Sequence, residues 1–595
     1  MLGLPRSLVP TPNTQHPIPN PMAAVATARW NVSTRNRAAE ELLQKELGIP
    51  SLLAAVLAQR GYTTPEQAQL FLNPSLDQLH PARMLPDYYP AKDAILGARE
   101  RKDLIFVHGD YDVDGVTSAA IFSRFLNAIG CNVRTHVPHR MKEGYGIHAM
   151  AVQAAADAGA KLFLTCDCGV SAHEQVEQAR EAGMTVVVTD HHSIAGDLPK
   201  AEAVVNPHRS DSQYPFDELS GAGVVFKLCA GISEELGNDP KNYYRAFLDL
   251  AALGTIADVM PLVGENRIIA KFGLQRLADT QKPGLRALIQ AANIATEFGK
   301  PLKASHVGFQ LGPRLNAAGR IDDAAMALNL LLENDPTAAQ KMAETIESVN
   351  SQRKAEQQRV MDEAIEIVHS TGSNERNVIV VAKEGWHSGI VGIVAGRLVE
   401  MFCRPSFVLT IDSTTGTAKG SARTIPGFNL ADAIRAHPGL MSGGGHAMAA
   451  GCSMQAADIE RVATALDEYA GGILKPEDFV PSIRVDMEVA ASEVNLQAAE
   501  ALSKLEPFGF ANPEPVFLSR GLTVAQILPT KNPIHVRLVL QTNSGSTVAG
   551  IAFGIGERLS LSGAGIGADM LFQASVDEWK GARTLKWQIK DYAAS

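Results

Sequence analysis

Cysteine is scarce. The 595 residues include six, at positions 131, 166, 168, 229, 403 and 452, and none forms a CxxC pair or a zinc-type spacing. That excludes a disulfide scaffold or a zinc ribbon and leaves reduced thiols in a cytoplasmic protein as the economical expectation. Long apolar runs are missing too. Nothing approaches the ~18 residues needed to span a bilayer, so no membrane segment is expected. The first thirty residues are rich in proline, asparagine and threonine, and they lack the basic start and continuous apolar stretch of a secretory signal. A disordered leader over residues 1–29 is expected, with translation beginning at Met1 or at Met22. Positive charge is not in excess: 54 Lys and Arg stand against 64 Asp and Glu, a formal net charge of -10. A uniformly basic nucleic-acid coat is thereby excluded, while a local basic groove remains open, because binding responds to where charge sits. No motif for a serine or cysteine nucleophile is apparent.

What is present begins with 46% hydrophobic and 20% charged residues, a globular balance whose length favours two to four domains. The organising stretch is LIFVHGDYDVDG, residues 104–115. Four apolar residues read as a short buried strand, and the chain then turns sharply polar. Asp110, Asp112 and Asp114 alternate after His108, and a helix is expected from Gly115 to Ile129. Carboxylates crowded at a strand end raise one another's pKa values unless cations neutralise them. Beyond it, strands (133–137, 161–166, 185–188, 203–205) alternate with helices (148–158, 173–182). Such alternation predicts a parallel α/β sheet with helices on both faces, and ligands then bind beyond the carboxyl ends of the strands.

The chemistry-bearing residues fall at those ends. Asp167 follows one strand in TCDCG, and Asp190-His191-His192 follows another in VVTDHH. Asp258 comes where an apolar helix runs into DVMPL. A single strand-end aspartate is usually a helix N-cap, and Cys166 and Cys168 read as small packing residues. The joint pattern is specific: Asp112, Asp114, Asp167 and Asp258 carry four negative charges that two divalent ions would neutralise. Histidine beside carboxylates favours Mn²⁺, with Mg²⁺ the alternative.

HGDYDVDG, TCDCG, TDHH and GTIADVMPL together resemble the DHH phosphoesterase superfamily. GPRLNAAGRIDDA (312–324), KGSAR (419–423) and SGGGHAMAAG (442–451) resemble its RecJ branch, the single-stranded-DNA-specific exonucleases. The resemblance implies an α/β protein in three parts: a parallel-sheet DHH catalytic domain (30–334), joined by a long helix (335–371) to a smaller α/β DHHA1 domain (372–478), then a C-terminal β-barrel of OB-fold type (479–595). It implies two divalent cations acting by two-metal hydrolysis. Asp114, Asp167 and His191 would hold one, and His108, Asp112 and Asp258 the other, with Asp167 bridging. Asp110 and Asp190 would orient loops and ligand rings, and His192 would face the substrate phosphate. Gly443, Gly444 and Gly445 would aim backbone N–H groups at a phosphate, with His446 contacting the scissile group. Arg320, Ser421 and Arg423 would clamp a terminal 5′-phosphate, with Arg140 as a further candidate.

Two elements are open on residue chemistry alone. The 335–371 helix reads as a rigid spacer or as a coiled-coil dimer helix, although a monomer needs no extra assumption. Near the end, Trp579, Lys580, Arg583, Lys586, Trp587 and Lys590 interleave bases with aromatics. That suits a single strand stacking on rings, or else the tryptophans fill the barrel core. The implied activity is 5′→3′ hydrolysis of single-stranded DNA to 5′-mononucleotides in recombination and repair. A single-stranded-DNA-binding protein and a RecQ-type helicase are the partners implied. The competing readings are a phosphodiesterase of short or cyclic oligonucleotides and a non-catalytic DNA-binding scaffold.

Overall fold

A computed structural model describes residues 28–139, 143–144, 146–297, 299–321, 323–542, 545–579 and 582–594. The chain divides into two units. One comprises Asn36–Lys475 with Ala501–Glu514; the other takes Pro476–Glu500 and Pro515–Ser595 together with the N-terminal segment up to Arg35. The first described strand, β1 (Arg29–Val32), therefore belongs to the second unit.

In the larger unit the apolar run at 104–107 forms the expected strand, β2 (Leu104–Gly109). With β3 (Asn132–His136), β4 (Leu162–Cys166), β5 (Thr185–Thr189) and β6 (Ala203–Val205) it makes a sheet of order β3-β2-β4-β5-β6, every pair parallel. Side chains alternate across it, as a period of two requires. Ile105, Val107, Leu162, Leu164 and Val187 enter one core, while Phe106, Phe163, Val186 and Val188 enter the other. The register sets Gly109 beside Cys166 and Cys166 beside Thr189. The residues that follow these three, Asp110, Asp167 and Asp190, therefore emerge side by side.

The long helix runs Pro336–Thr371, capped by Asp335, whose carboxylate accepts the Ala338 N–H, and ended at Gly372 in the left-handed region. At 1.5 Å per residue its 36 residues span about 54 Å. Ala339, Ala343 and Ile346 pack into the core of the lobe that holds the parallel sheet, whereas Val360, Met361, Ala364 and Val368 pack into that of the next lobe. Apolar positions along it are thus buried within this chain. That next lobe holds β7 (Ile379–Glu384), β8 (Ser406–Asp412), β9 (Thr417–Arg423), β10 (Ser442–Gly445) and β11 (Ala449–Gln455) in the order β10-β11-β9-β8-β7. Only β7 and β8 run parallel.

In the smaller unit, β12 (Ser482–Val485) and β13 (Met487–Glu488) precede β14 (Phe517–Pro529), β15 (His535–Gln541), β16 (Thr547–Phe553), β17 (Gly567–Trp579) and β18 (Ala582–Ala594). The order β14-β15-β16-β18-β17 closes on itself through β14–β17 pairing, with β16 and β18 parallel. That is the five-stranded barrel of an OB-fold. Two segments fall outside the expected boundaries. Residues 29–35 join the barrel unit, because β1 pairs in parallel with β12 and the Trp30 indole donates to Asp591 at 2.8 Å. Residues 501–514 join the larger unit, where the buried Arg267 guanidinium donates to the carbonyls of Lys504, Leu505 and Glu506. No helix among the described residues is long and apolar enough to cross a membrane.

Candidate metal centre

His191 sits at the middle of the carboxylates. Its Nε2 lies 3.1 Å from Asp167 Oδ1, 3.6 Å from Asp258 Oδ2 and 3.8 Å from Asp114 Oδ2. One ligand atom each from Asp114, His191 and Asp258 falls within 4.8 Å of the others, and the same holds for Asp167, His191 and His192. Backbone conformation delivers two of these groups. Asp167 leaves the end of β4 at φ 61°, and Asp258 closes the Pro240–Ala257 helix just before Val259 at φ 59°. Non-glycine residues in that region cost of order 1–3 kcal/mol each and concentrate at functional sites.

Asp112 caps the Val113–Ala128 helix, its carboxylate accepting the Gly115 N–H at 3.1 Å. Asp114, within the first turn, is buried. Its two oxygens accept the N–H groups of Gly221 and Ala222 at 2.6 and 2.9 Å, at the start of the Gly221–Glu235 helix. The fit there is close. A methyl at Gly221 would come within 2.6 Å of Asp167, and one at Gly254 within 2.5 Å of Asp114 Oδ1.

Asp190 works on the histidines. Its Oδ1 accepts the backbone N–H groups of His191 and His192 and lies 2.7 Å from His192 Nδ1, while Oδ2 accepts the Val170 N–H. Asp110 accepts the Gly146 N–H at 3.5 Å. His108 is placed apart. Its Nε2 faces the Gly146 carbonyl at 3.2 Å, its Nδ1 faces His136 Nδ1 at 3.4 Å, and its ring is stacked between His136 and Phe163. His108 was expected as a ligand beside Asp112 and Asp258. It shares the Phe106 face of β2, so its ring packs into the second core and both nitrogens are taken.

Burial and mutual repulsion dominate the electrostatics. Burial first, then the charge of Asp112, pushes Asp114 up to about 7 and Asp110 up to about 8. Burial and then the charges of Asp114 and Asp112 push Asp258 up to about 8, and the same causes hold Asp167 well above the carboxylate range. Burial lowers His191 to about 4. At His192 burial opposes the charge, but the bond to Asp190 prevails and raises it to about 9. Cys166 and Cys168 are buried, with thiols held well above their usual value by burial. They pack rather than ligate. The donor set is thus oxygen and imidazole, and buried Asp167 Oδ1 accepts no hydrogen bond among the described residues, although His191 Nε2 approaches it at 3.1 Å. An anionic cluster with an unsatisfied buried oxygen fits divalent cations of the manganese or magnesium type.

A second group gathers on the glycine-spaced Ser388–Phe402 helix. Arg320 Nη1 donates to the Gly389 carbonyl at 3.2 Å, and a methyl at Gly392 would meet Ser421 Oγ at 3.3 Å and Arg423 Nη2 at 3.4 Å. The glycines of that helix thus let Arg320, at Gly389, and Ser421 with Arg423, at Gly392, approach the same helix. The helix carrying Arg320 also touches the metal loop: a methyl at Gly319 would lie 3.0 Å from the Tyr111 carbonyl oxygen. Gly443, Gly444 and Gly445 form the exposed edge strand β10, and the His446 N–H donates to the Ala449 carbonyl. Arg140 and Lys580 lie outside the described residues. In the barrel, Arg583 pairs with Glu500 at 3.0 Å, and Lys586 stands 3.8 Å from Asp577. Trp587 is buried and stacked on Phe572, with centroids 3.6 Å apart. It is core, not an exposed platform.

The amides of Gly221 and Ala222 escaped the sequence reading. Ser220-Gly-Ala-Gly was the available signal, since serine before such a run caps a helix, as Ser220 does here through the Gly223 N–H.

Family models match three parts of the chain: the DHH family N-terminal domain over residues 104–255, the DHHA1 domain over 375–472 and the RecJ OB domain over 485–591. The chain is 36% identical over 569 residues to the single-stranded-DNA-specific exonuclease RecJ of Bacillus subtilis (strain 168), covering 95% of this chain and 71% of that protein. It is 34% identical over 562 residues to the protein of the same description from Dickeya dadantii (strain 3937), covering 91% and 96%. The crystal structure of RecJ in complex with Mn²⁺ from Thermus thermophilus superimposes with a TM-score of 0.80 at 29% identity, over 95% of this chain and 79% of that one.

Proposed function

Because the chain belongs to the RecJ family, we propose that it degrades single-stranded DNA from the 5′ end to 5′-mononucleotides, in recombination and repair. The observation that carries this reading is the convergence of Asp114, Asp167 and Asp258 on His191 Nε2, in a largely buried cluster of three carboxylates with no cationic Lys or Arg paired to them among the described ion pairs. Asp114, Asp167 and His191 would hold one cation, and Asp112 and Asp258 would face a second, with Asp167 between them. When bound, divalent cations, Mn²⁺ by preference, supply Lewis-acid activation of water and offset the charge that builds on the phosphoryl oxygens.

The chain's own residues do the rest. Asp190 fixes the His192 ring through Nδ1, so that Nε2 addresses a phosphate oxygen of the scissile link. Asp114 is held rigid by two backbone donors, so the carboxylates are set before substrate arrives. Arg320, Ser421 and Arg423 receive the terminal 5′-phosphate, which places the first internucleotide link over the metal centre. Gly443 to Gly445 and His446 flank the strand. Selection for single strands is attributed to a channel between the two lobes of the larger unit that would admit one strand and exclude a duplex.

The test is hydrolysis of one single strand labelled at its 5′-phosphate, with Mn²⁺, with a blunt duplex of the same sequence beside it. Release of mononucleotides from the 5′ end of the single strand alone supports the reading. Equal digestion of the duplex, or endonucleolytic fragments, overturns it.

A further inference from the structure

A buried ion pair lies away from the carboxylate cluster. Lys227 and Glu265 are 3% and 2% exposed, with Nζ 2.9 Å from Oε1. Burying two charges is expensive, and such pairs are weak contributors to stability. Both partners of this one make further hydrogen bonds. Glu265 Oε1 also accepts the His80 N–H at 2.8 Å, Oε2 accepts the Tyr214 hydroxyl at 2.6 Å, and Lys227 also donates to the His80 carbonyl. His80 and Tyr214 meet edge to face at 5.8 Å.

The pair joins elements that lead into the metal centre. Lys227 stands on the Gly221–Glu235 helix, whose first two amides hold Asp114. Tyr214 begins the segment that delivers Ser220 to that helix. The neighbour of Glu265, Asn266, donates to the Glu218 carbonyl, and the Phe216 ring packs on Gly264, where a methyl would come within 2.7 Å. Ser220 is then tied to Thr255 at 3.0 Å. Clearances at the helix start leave little room for axial slip, since Gly221 faces Asp167 and Gly254 faces Asp114.

We propose that Glu265 is a positioning residue: through Lys227 and Tyr214 it fixes the axial position of the Gly221–Glu235 helix and hence the carboxylate of Asp114 toward a divalent cation. This rests on the metal-centre reading above. Glu265 touches neither substrate nor ligand atoms; it acts through the helix.

The test is Mn²⁺ titration of the full chain, read from the electron paramagnetic resonance of free Mn²⁺, with melting in EDTA measured alongside. Removing both charges together in Glu265→Gln/Lys227→Met avoids a lone buried charge. Expected is Mn²⁺ affinity weakened at least ~10-fold, in the range seen for residues that orient metal ligands, while Lys227→Arg retains affinity near that of the unsubstituted protein. Affinity within twofold of the unsubstituted chain, with only the EDTA melting point lowered, shows a structural role and overturns the proposal. If the double variant does not fold, Tyr214→Phe removes one hydrogen bond and no charge, and unchanged affinity there is equally fatal. Failure of the unsubstituted protein to bind Mn²⁺ overturns the metal-centre reading itself and this inference with it.

Discussion

Asp190 Oδ1 lies 2.7 Å from His192 Nδ1 and also accepts the backbone N–H groups of both histidines that follow it. One carboxylate oxygen therefore sets the ring of His192 and the chain direction of His191. Asp190 is itself held below the carboxylate range: burial pushes it upward, but the hydrogen bond and charge of His192 prevail. An amide in its place keeps the shape and loses the charge. Asp190→Asn is expected to lower kcat by about 10-fold to 100-fold, the range for groups that orient ligands, with a smaller change in KM for DNA. Steady-state kinetics on one 5′-phosphorylated strand checks this; a pure KM effect would place Asp190 in substrate binding instead.

Metal removal should reveal the cost of the cluster. Asp114, Asp110 and Asp258 are raised to about 7, 8 and 8 in the folded chain, from an ordinary value of 3.8. The metal-free folded state therefore binds protons that the unfolded chain has released. This stability is full below the unfolded value and is lost as pH rises through 7 to 8. His192, raised to about 9, acts in the same direction above its ordinary 6.5. His191, lowered to about 4, acts oppositely, but only below 6.5. The melting temperature of the EDTA-treated protein is thus expected to fall between about pH 6.5 and 8.5, and the increment from added Mn²⁺ to grow across that window. Scanning calorimetry at four pH values suffices, and a constant increment would contradict the assignment.

The site was legible where chemistry and local pattern coincide. Apolar runs ending in Asp110, Asp167 and Asp190 gave both the strands and their acids, because a parallel sheet exposes its carboxyl ends together. Arg320, Ser421 and Arg423 were legible only through resemblance, and it is the glycine spacing of the Ser388–Phe402 helix that lets all three approach it. Long-range partners were not legible. The amide that holds Asp114 comes from Gly221, 107 residues away, and nothing in 104–115 points to it. The pairing of β1 with β12 is equally silent, since four residues with no chemistry of their own carry it. His108 shows the limit of resemblance: the family pattern implied a ligand, but strand alternation turned its ring to the other core.

Arg423 allows the end-recognition reading to be separated from the metal centre. It sits on β9 with Ser421, against Gly392 of the neighbouring helix, and not among the carboxylates. Arg423→Ala is expected to abolish preference for 5′-phosphorylated over 5′-hydroxyl ends while Mn²⁺ affinity stays unchanged. Competition between the two labelled strands measures the first, and a Mn²⁺ titration the second. Preserved end preference would place the 5′-phosphate elsewhere.

The barrel offers a surface other than the β17–β18 hairpin. Arg583 and Lys586 there stand opposite Glu500 and Asp577, and Trp587 is core. On the neighbouring strands, register sets His535 opposite Phe553 and Arg537 opposite Ile551, and alternation turns all four side chains outward. The His535 and Phe553 rings meet edge to face at 5.1 Å, with Phe553 46% exposed. An exposed ring beside an arginine is what a sequence-tolerant single strand stacks upon, and each stacked base contributes about 1–3 kcal/mol. Phe553→Ala is therefore expected to weaken binding of a long single strand by about 5-fold to 160-fold, the same energy expressed as a ratio. Its melting temperature should not change, because the ring fills no core. Lys586→Ala is expected to cost less than Phe553→Ala, since its charge is already offset by Asp577. Fluorescence anisotropy with a labelled strand in EDTA compares the two without hydrolysis, and the reverse ranking would return the strand to the hairpin.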